Sequence, residues 1–352
     1  MTDALRSTGA APTLEDVARA AGVSRATVSR VINGVRNVDP AIQETVRQAV
    51  SVTGYTPNQA ARSLVTRRTD AVALVVSGAG AEPAAGKGAA PCGGGAPEGA
   101  GEETGRGGEG SFTARVFADP FFGRVVTGVV DHLRPRGIHP VLMCAETSWA
   151  RDEVVSYLRQ GSADGALIVS THAEDPLPGL VAEAGLPAVL YARPARPTRI
   201  SYVDLAHRDG ARLAAEHLLA RGCRRIATIS GPLDVAAGQD RLAGFQETMA
   251  RHGHPYIPVA EGGFTQESGE AAMEQLLAGH PGLDGVFAGN DLMATGACHV
   301  LRDHGKKVPE DVAVVGFDDS GAAAACRPPL TEPERPATSV IFEPTLVVRA
   351  SA

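Results

Sequence analysis

Apolar residues Leu14, Val17, Ala18 and Ala21 recur at i, i+3, i+4 and i+7, so they share one face of a short helix that Thr13 can cap and Gly22 can end. Ser24 can cap a second helix, whose Val28 and Val31 turn back towards the first while Arg25, Ala26, Ser29 and Arg30 point away from the shared core. A third amphipathic stretch carries Ile42, Val46, Ala49 and Val50 between Asp39-Pro40, an N-cap with an N1 proline, and Gly54. Thr13 to Asn33 therefore reads as a helix-turn-helix, with an ordinary helical hairpin inside a larger core as the plainer alternative. Tyr55-Thr56-Pro57 follows, and Asn58 can cap a segment, AARSLV, too short to be a stable helix by itself.

Beyond Asp70 the period changes. Ala71 to Val76 is a short apolar run suited to a buried parallel strand. From Gly78 to Ser111 the chain then holds 13 Gly and 8 Ala, has almost nothing to bury, and is expected to be disordered or a loose loop. Alternation resumes afterwards. Helical stretches near 122–133, 149–159, 205–220, 241–251, 267–277 and 292–304 are interleaved with apolar runs at 140–143, 165–169, 188–191, 225–230, 285–288 and 312–315. Such alternation predicts two parallel sheets covered by helices on both faces, with a ligand cleft at the carboxyl ends of the strands.

Charge sharpens this division. The net charge of −7 is unevenly spread: residues 1–70 carry nine Arg and six Asp or Glu, a surplus of +3, so the remainder carries −10. The basic part coincides with the helix-turn-helix. Five cysteines at 92, 144, 223, 298 and 326 are odd in number and lack CxxC spacing, against a disulfide framework or a structural zinc site. No basic-plus-apolar leader and no run of 18 apolar residues is present, so a cytoplasmic protein without a membrane partner is expected. GxSxG, Walker and HExxH motifs are missing, and His252-Gly253-His254 has no third ligand nearby, so neither an enzyme nor a metal site nor a cofactor is expected.

Thr13 to Val65 resembles the DNA-binding headpiece and hinge of the LacI/GalR family of bacterial repressors, and most of the later chain agrees with it. The resemblance implies a headpiece at 1–57, a hinge at 58–68 and a periplasmic-binding-protein-like core at 69–352, interrupted by an insertion at 78–111. Within the headpiece, Arg25 suits the paired acceptors of guanine and Ala26 can only touch a thymine methyl. Arg30 matches the family's second base-reading arginine, and Thr13, Ser24, Thr27, Ser29 and Asn33 suit phosphate contacts. Tyr55 belongs to the same DNA-facing set. In the hinge, Leu64 matches a leucine that wedges into the minor groove, with Ala61 and Asn58 as its neighbours, which implies a CpG-centred palindrome bound by a homodimer.

For the effector, the resemblance implies a sugar or related molecule held by Arg241 and Asp291, with Phe121, Phe122 and Phe264 as aromatic walls. A guanidinium and a carboxylate suit hydroxyls, which accept from one and donate to the other. Asp291→Ala is expected to remove the effector response and spare DNA binding. One departure from the family concerns Glu332 to Val340, where Pro333 and Pro336 leave no room for the longer helical segment usual there. Loss of that helix, together with the insertion near Gly78, would uncover an apolar sheet face and weaken dimerisation. Two alternatives therefore stay beside the repressor: a degenerate member with impaired dimerisation and DNA binding, and a sugar-binding module without a regulatory role.

Overall fold

A computed structural model describes residues 12–32, 38–56, 68–78, 112–170, 172, 174–194, 196–334, 341–342 and 345–347. Asn33, Asn58, Ala61 and Leu64 lie outside the described residues, as does the Gly- and Ala-rich segment after Gly78. The chain divides into two compact units, at residues 1–69 and 70–352.

In the first unit, α1 (Leu14–Ala21) opens with a capping box. The Thr13 hydroxyl accepts from the Asp16 amide (3.4 Å), and the Asp16 carboxylate receives the Thr13 amide (2.9 Å) and hydroxyl (2.7 Å). Gly22 ends the helix at φ 66°, a left-handed backbone that glycine adopts without steric penalty. Ser24 caps α2 (Arg25–Ile32) by accepting from the Thr27 amide at 3.1 Å, and Asp39 caps α3 (Pro40–Thr53) through the Ala41 amide at 2.8 Å. Val17, Val28, Val46 and Ala49 are buried between the three helices. Tyr55 is half-buried and packs against the same core.

The second unit contains two parallel sheets. The first has the order β11-β5-β4-β3-β1-β2, from β1 (Ala71–Ser77), β2 (His139–Ala145), β3 (Ala166–Ser170), β4 (Ala188–Tyr191), β5 (Ser201–Leu205) and β11 (Ile341–Phe342). The second runs β7-β6-β8-β9, from β6 (Ile226–Ser230), β7 (Val259–Glu261), β8 (Gly285–Ala288) and β9 (Ala313–Val315). Helices α4 (Phe112–Ala118), α5 (Pro120–Leu133), α6 (Ser148–Arg159) and α7 (Leu177–Glu183) belong with the first sheet. With the second belong α8 (His207–Ala220), α9 (Ala236–Arg251), α10 (Gln266–Gly279), α11 (Asp291–Asp303) and the short α12 (Gly321–Ala325). The chain crosses between the sheets at 205–207 and crosses back after β9, so that β11 pairs with β5 in register Ile341↔Asp204.

Among the described residues the expected helices and strands are present with shifted ends: the helix expected from 241 starts at Ala236, and the strands expected from 165, 225 and 312 each start one residue later. The stretch expected to be helical from 205 divides instead, since Ser201–Leu205 is a strand and the helix begins at His207. Elements without a strong period of their own, α4, α7, β5, β7 and α12, were not legible beforehand. Glu332–Glu334 forms β10, paired antiparallel with β12 (Thr345–Val347), where the family's usual helix was expected to be missing. Residues 335–340 lie outside the described residues. Along α5 and the adjoining sheet face, Phe121, Val125, Val129, Leu133, Leu167, Tyr191 and Leu205 line an open apolar groove, part of a cavity of about 520 Å³.

Helices of the second layer approach closely where glycine faces backbone. A Cβ on Gly244 of α9 would lie 2.4 Å from the Arg208 carbonyl oxygen of α8, and one on Gly269 of α10 would lie 2.4 Å from the Met293 backbone of α11. Neither neighbour is a flexible side chain that can yield. Gly244→Ala is therefore expected to lower unfolding free energy by about 1–3 kcal/mol through overpacking. Urea denaturation checks this against Gly279→Ala, a position where a Cβ meets nothing within 4 Å.

Candidate nucleic-acid interface and effector cleft

The headpiece presents Arg25, Ala26 and Arg30 to solvent, because Val28 and the half-buried Val31 take the opposite side of α2 into the core. Ser24 is exposed, and Thr27 and Ser29 are partly covered. Thr13 and Ser24 already serve as caps, which fixes the ends of the two helices and leaves their hydroxyls at the surface. Ser24 Oγ and Thr27 Oγ1 lie 2.8 Å apart. Arg25 Nη1 is 3.6 Å from Glu15 Oε1 with both side chains about two-thirds exposed, a surface pair worth about 0–1 kcal/mol and readily exchanged for another anion. Asp16 is held below the usual carboxylate range, first by the Thr13 hydroxyl and then by its amide. Tyr55 contributes its ring to the core rather than extending free of it.

In the second unit the cleft lies between α5 of the first sheet's layer and the carboxyl ends of β8 and β9. Its polar lining includes Asp119, Arg124, Asn290, Asp291, Asp318 and Ser320, with His132 further along α5; Phe121 and Tyr191 supply an aromatic wall, with centroids 5.3 Å apart in an edge-to-face pair. Asp119 caps α5 by accepting from the Phe121 amide at 2.9 Å. Burial, reinforced by the nearby Asp318 carboxylate, raises its carboxyl above the usual range. Asn290 caps α11 through the Met293 amide (2.9 Å) and donates to the Phe264 carbonyl (2.9 Å). Arg124 donates to the Asp318 carbonyl at 2.8 Å and to that of Asp319, spanning the cleft from one side to the other.

Arg241 is buried behind this lining. Its Nη2 donates to Asp318 Oδ1 (3.1 Å), its Nη1 to the Gly289 carbonyl and its Nε to His207 Nδ1 (3.2 Å). The guanidinium also lies 3.9 Å from the Phe317 ring centroid and 5.8 Å from that of Phe264. The carboxylate opposite Arg241 is therefore Asp318, not Asp291 as the sequence reading pairs them. Asp291 borders the cleft but turns its oxygens onto the amides of Phe317 (3.1 Å) and Ser320 (2.6 Å), because as the first residue of α11 it sits directly under the loop after β9. Asp318 occupies that loop at φ 106°, a left-handed backbone that costs a non-glycine residue about 1–3 kcal/mol and persists only where neighbours hold it.

The aromatic residues divide. Phe121 lines the cleft. Phe122 is buried with Leu74, Val76, Val116 and Val169 because it lies on the sheet side of α5, so it is core and not wall. Phe264, itself at φ 63°, packs its ring where a Cβ of Gly231 would be, 2.3 Å from that position, and meets the cleft through Arg241, which its ring faces, and through Asn290, which donates to its carbonyl. Asp119, Arg124, Tyr191, Asn290 and Asp318 escaped the sequence reading. Two signals were available, the Asp119-Pro120 cap and Gly316-Phe317-Asp318-Asp319-Ser320, whose consecutive acids precede a Ser N-cap.

A helix-turn-helix headpiece and a two-sheet core with a polar cleft, on one chain, define a DNA-binding regulator with a small-molecule site. The profile of bacterial regulatory proteins of the lacI family matches residues 13–58, and that of the periplasmic binding protein-like domain matches residues 215–343. The chain is 43% identical over 329 residues to the HTH-type transcriptional regulator CelR of Thermobifida fusca, covering 92% of this chain and 87% of that protein. With the ribose operon repressor of Escherichia coli K12 it shares 30% over 339 residues, covering 92% and 88%. Among solved structures, a CelR–cellobiose complex superposes with a TM-score of 0.67 at 39% identity, covering 97% of this chain and all of that one. The Lac repressor dimer bound to operator and the anti-inducer ONPF gives 0.73 at 25%, covering 97% and 98%. The chain belongs to the LacI family of transcriptional regulators, and its relatives are regulators rather than enzymes.

Asp291 supplies the acceptors for two buried amides, so its loss costs more than a ligand contact. Asp291→Ala is expected to destabilise the second unit by about 2 kcal/mol or more, since each buried donor left without an acceptor costs about 1–3 kcal/mol. Thermal unfolding without any ligand reads this directly. A variant as stable as the wild type would show that the loop after β9 does not rely on this clamp.

Proposed function

We propose that this chain is a repressor that binds a palindromic operator as a homodimer and is controlled by a sugar effector. The observation that carries the DNA half is α2, whose apolar side is buried while Arg25, Ala26 and Arg30 stay exposed on a unit with a positive balance of charge. Arg25 is the principal base reader, through guanine, and Arg30 the second; Ser24, Thr27, Ser29 and Thr13 set register on phosphates, with Asn33. Tyr55 supports this surface from the core. Asn58, Ala61 and Leu64 form the hinge device, and two such hinges meeting on a twofold axis give the operator a CpG centre.

Cellobiose is the first effector to test, because a CelR structure holds it and the cleft here pairs acceptors with donors suited to hydroxyls. Asp318 and Asp119 accept, Arg124 donates, Asn290 orients the floor, and Phe121 with Tyr191 offers an apolar face to a sugar ring. Arg241 acts with Asp318 as one unit, and Asp291 fixes the loop that carries it. Binding favours one closure state of the core and so changes how two hinges order on DNA, by the difference in affinity between the two states and no more. A second reading, loss of paired assembly, draws on the open apolar groove beside α5.

Binding-site selection from a random duplex library, with the full-length protein at moderate salt, decides between these readings. Enrichment of a CpG-centred palindrome is the expected outcome, and half-sites alone would favour impaired assembly. Arg25→Ala should then cost about 1–3 kcal/mol at the enriched site and relax one base position in each half. Asp318→Ala should weaken cellobiose binding by about 10- to 100-fold, the value of a charge-assisted hydrogen bond of about 1.5–3 kcal/mol, while the selected operator is still bound. Equal cellobiose affinity in the variant, measured by calorimetry, would remove Asp318 from the effector site.

A further inference from the structure

We infer that His207 is a positioning residue for the effector cleft: its unprotonated Nδ1 anchors Arg241, which in turn holds the Asp318 carboxylate in place, so that effector binding requires His207 to be neutral. This rests on the effector reading of the cleft and extends it to a residue that does not touch the cavity.

His207 is the first residue of α8, at the point where the chain crosses from the first sheet to the second, and it is 5% exposed. Its Nε2 lies 3.3 Å from Asp204 Oδ1 at the end of β5, and its Nδ1 lies 3.2 Å from Arg241 Nε on α9. An arginine Nε–H can only donate, so Nδ1 must accept and the ring proton must sit on Nε2, pointing at Asp204. Asp204 thus selects the tautomer, and the tautomer selects the position of the guanidinium. A second proton on this ring would go to Nδ1, where it would set N–H against N–H and a cation against a cation. Protonation and the Arg241 anchor exclude each other.

The groups facing the ring favour the neutral form on balance. Burial comes first, then the pull of the Asp204 carboxylate in the other direction, then repulsion by Arg241, with Asp318 beyond it favouring the charged form; together they hold His207 below its usual value. Burial would raise Asp204, but the hydrogen bond from His207 leads the interactions that lower it. Both directions suit a neutral imidazole donating to a carboxylate. The network continues outward, since Arg193 Nε lies 3.9 Å from Asp204 Oδ2 and its Nη2 lies 2.5 Å from Asp240 on α9. Arg241 itself keeps Asp318 at a backbone angle that needs support, so slack at Nε reaches the cleft through one intervening side chain.

The test uses full-length protein, cellobiose as the probe and calorimetry between pH 8 and pH 5. His207→Asn places an amide oxygen where Nδ1 accepts and cannot titrate; His207→Ala removes the acceptor. Wild-type affinity should fall by about tenfold per pH unit once the pH is below the folded-state value of His207, which lies under the ordinary histidine range. His207→Asn should stay within about threefold of its own pH 8 affinity throughout, and His207→Ala should bind at least about tenfold more weakly than wild type at pH 8, as expected for losing a charge-assisted hydrogen bond, with the gap closing as wild type protonates. Parallel pH profiles for wild type and His207→Asn would overturn the inference. A ligand-free readout separates this from failure of the sugar reading: the Arg241 Nε–H resonance should be protected from solvent exchange at neutral pH in wild type and His207→Asn, and in wild type alone lose protection on acidification. No cellobiose binding with this NMR pattern intact would sink the sugar reading and leave His207 as the anchor, whereas an Arg241 resonance indifferent to pH and to His207→Ala would sink the anchor.

Discussion

A guanidinium buried inside a protein costs several kcal/mol unless its donors find acceptors, and Arg241 meets that demand with groups from three separate segments. His207 comes from the crossing into α8, Gly289 from the end of β8, and Asp318 and Phe317 from the loop after β9, all converging on a side chain of α9. None of these segments can move far alone without leaving a charge or a carbonyl unpaired. The loop after β9 is held from three directions, by Arg241 on the Asp318 carboxylate, by Asp291 on two amides, and by Arg124 on two carbonyls. That concentration of constraint explains how Asp318 and Asp319 are kept in left-handed conformations at the mouth of the cleft.

Several polar contacts cross from the layer of the first sheet to that of the second. Arg124 reaches the loop after β9, Arg193 pairs with Asp240, and His172 Nδ1 lies 3.3 Å from Asp234 Oδ2. They are partly or largely exposed, so each alone is worth little. Their weight lies in joining the two layers at several points at once. A ligand that inserts between Arg124 and the carbonyls it now holds must replace those bonds.

The headpiece works by a different economy of contacts. Four buried residues and a rim of half-buried ones make a small core. Caps at Thr13, Ser24 and Asp39 close the helix ends. This leaves the surface of α2 free of packing duties. The Arg25–Glu15 pair shows the consequence: the arginine rests on a weak exposed partner from which a stronger acceptor can take it. With the negative balance of charge carried elsewhere in the chain, attraction to DNA belongs to this unit and should fall with salt as phosphate contacts do.

The sequence by itself determined the headpiece and the alternation of the core, because both rest on local rules. Period, caps and turn residues state where α1 to α3 begin and end, and apolar runs of four to six residues between amphipathic stretches state a parallel sheet. Arg25, Ala26 and Arg30 were legible as exposed for the same reason, since a helix with one apolar side has another that is not. Weakly patterned elements such as α4, α7 and β7 take their form from the layers they pack on, which no window of sequence contains. The tertiary structure alone decided the cleft. Asp291 and Asp318 are both acids beside a strand end, and nothing local says which one turns inward. The difference arises because α11 starts beneath the loop after β9, giving Asp291 two amides to satisfy, while Asp318 is left facing Arg241. Phe121 and Phe122 are likewise neighbours of identical chemistry, separated into cleft wall and core only by the direction in which α5 lies on its sheet. His207 reads as an ordinary helix residue until β5, α8 and α9 meet around it, and its chemistry exists only in that meeting.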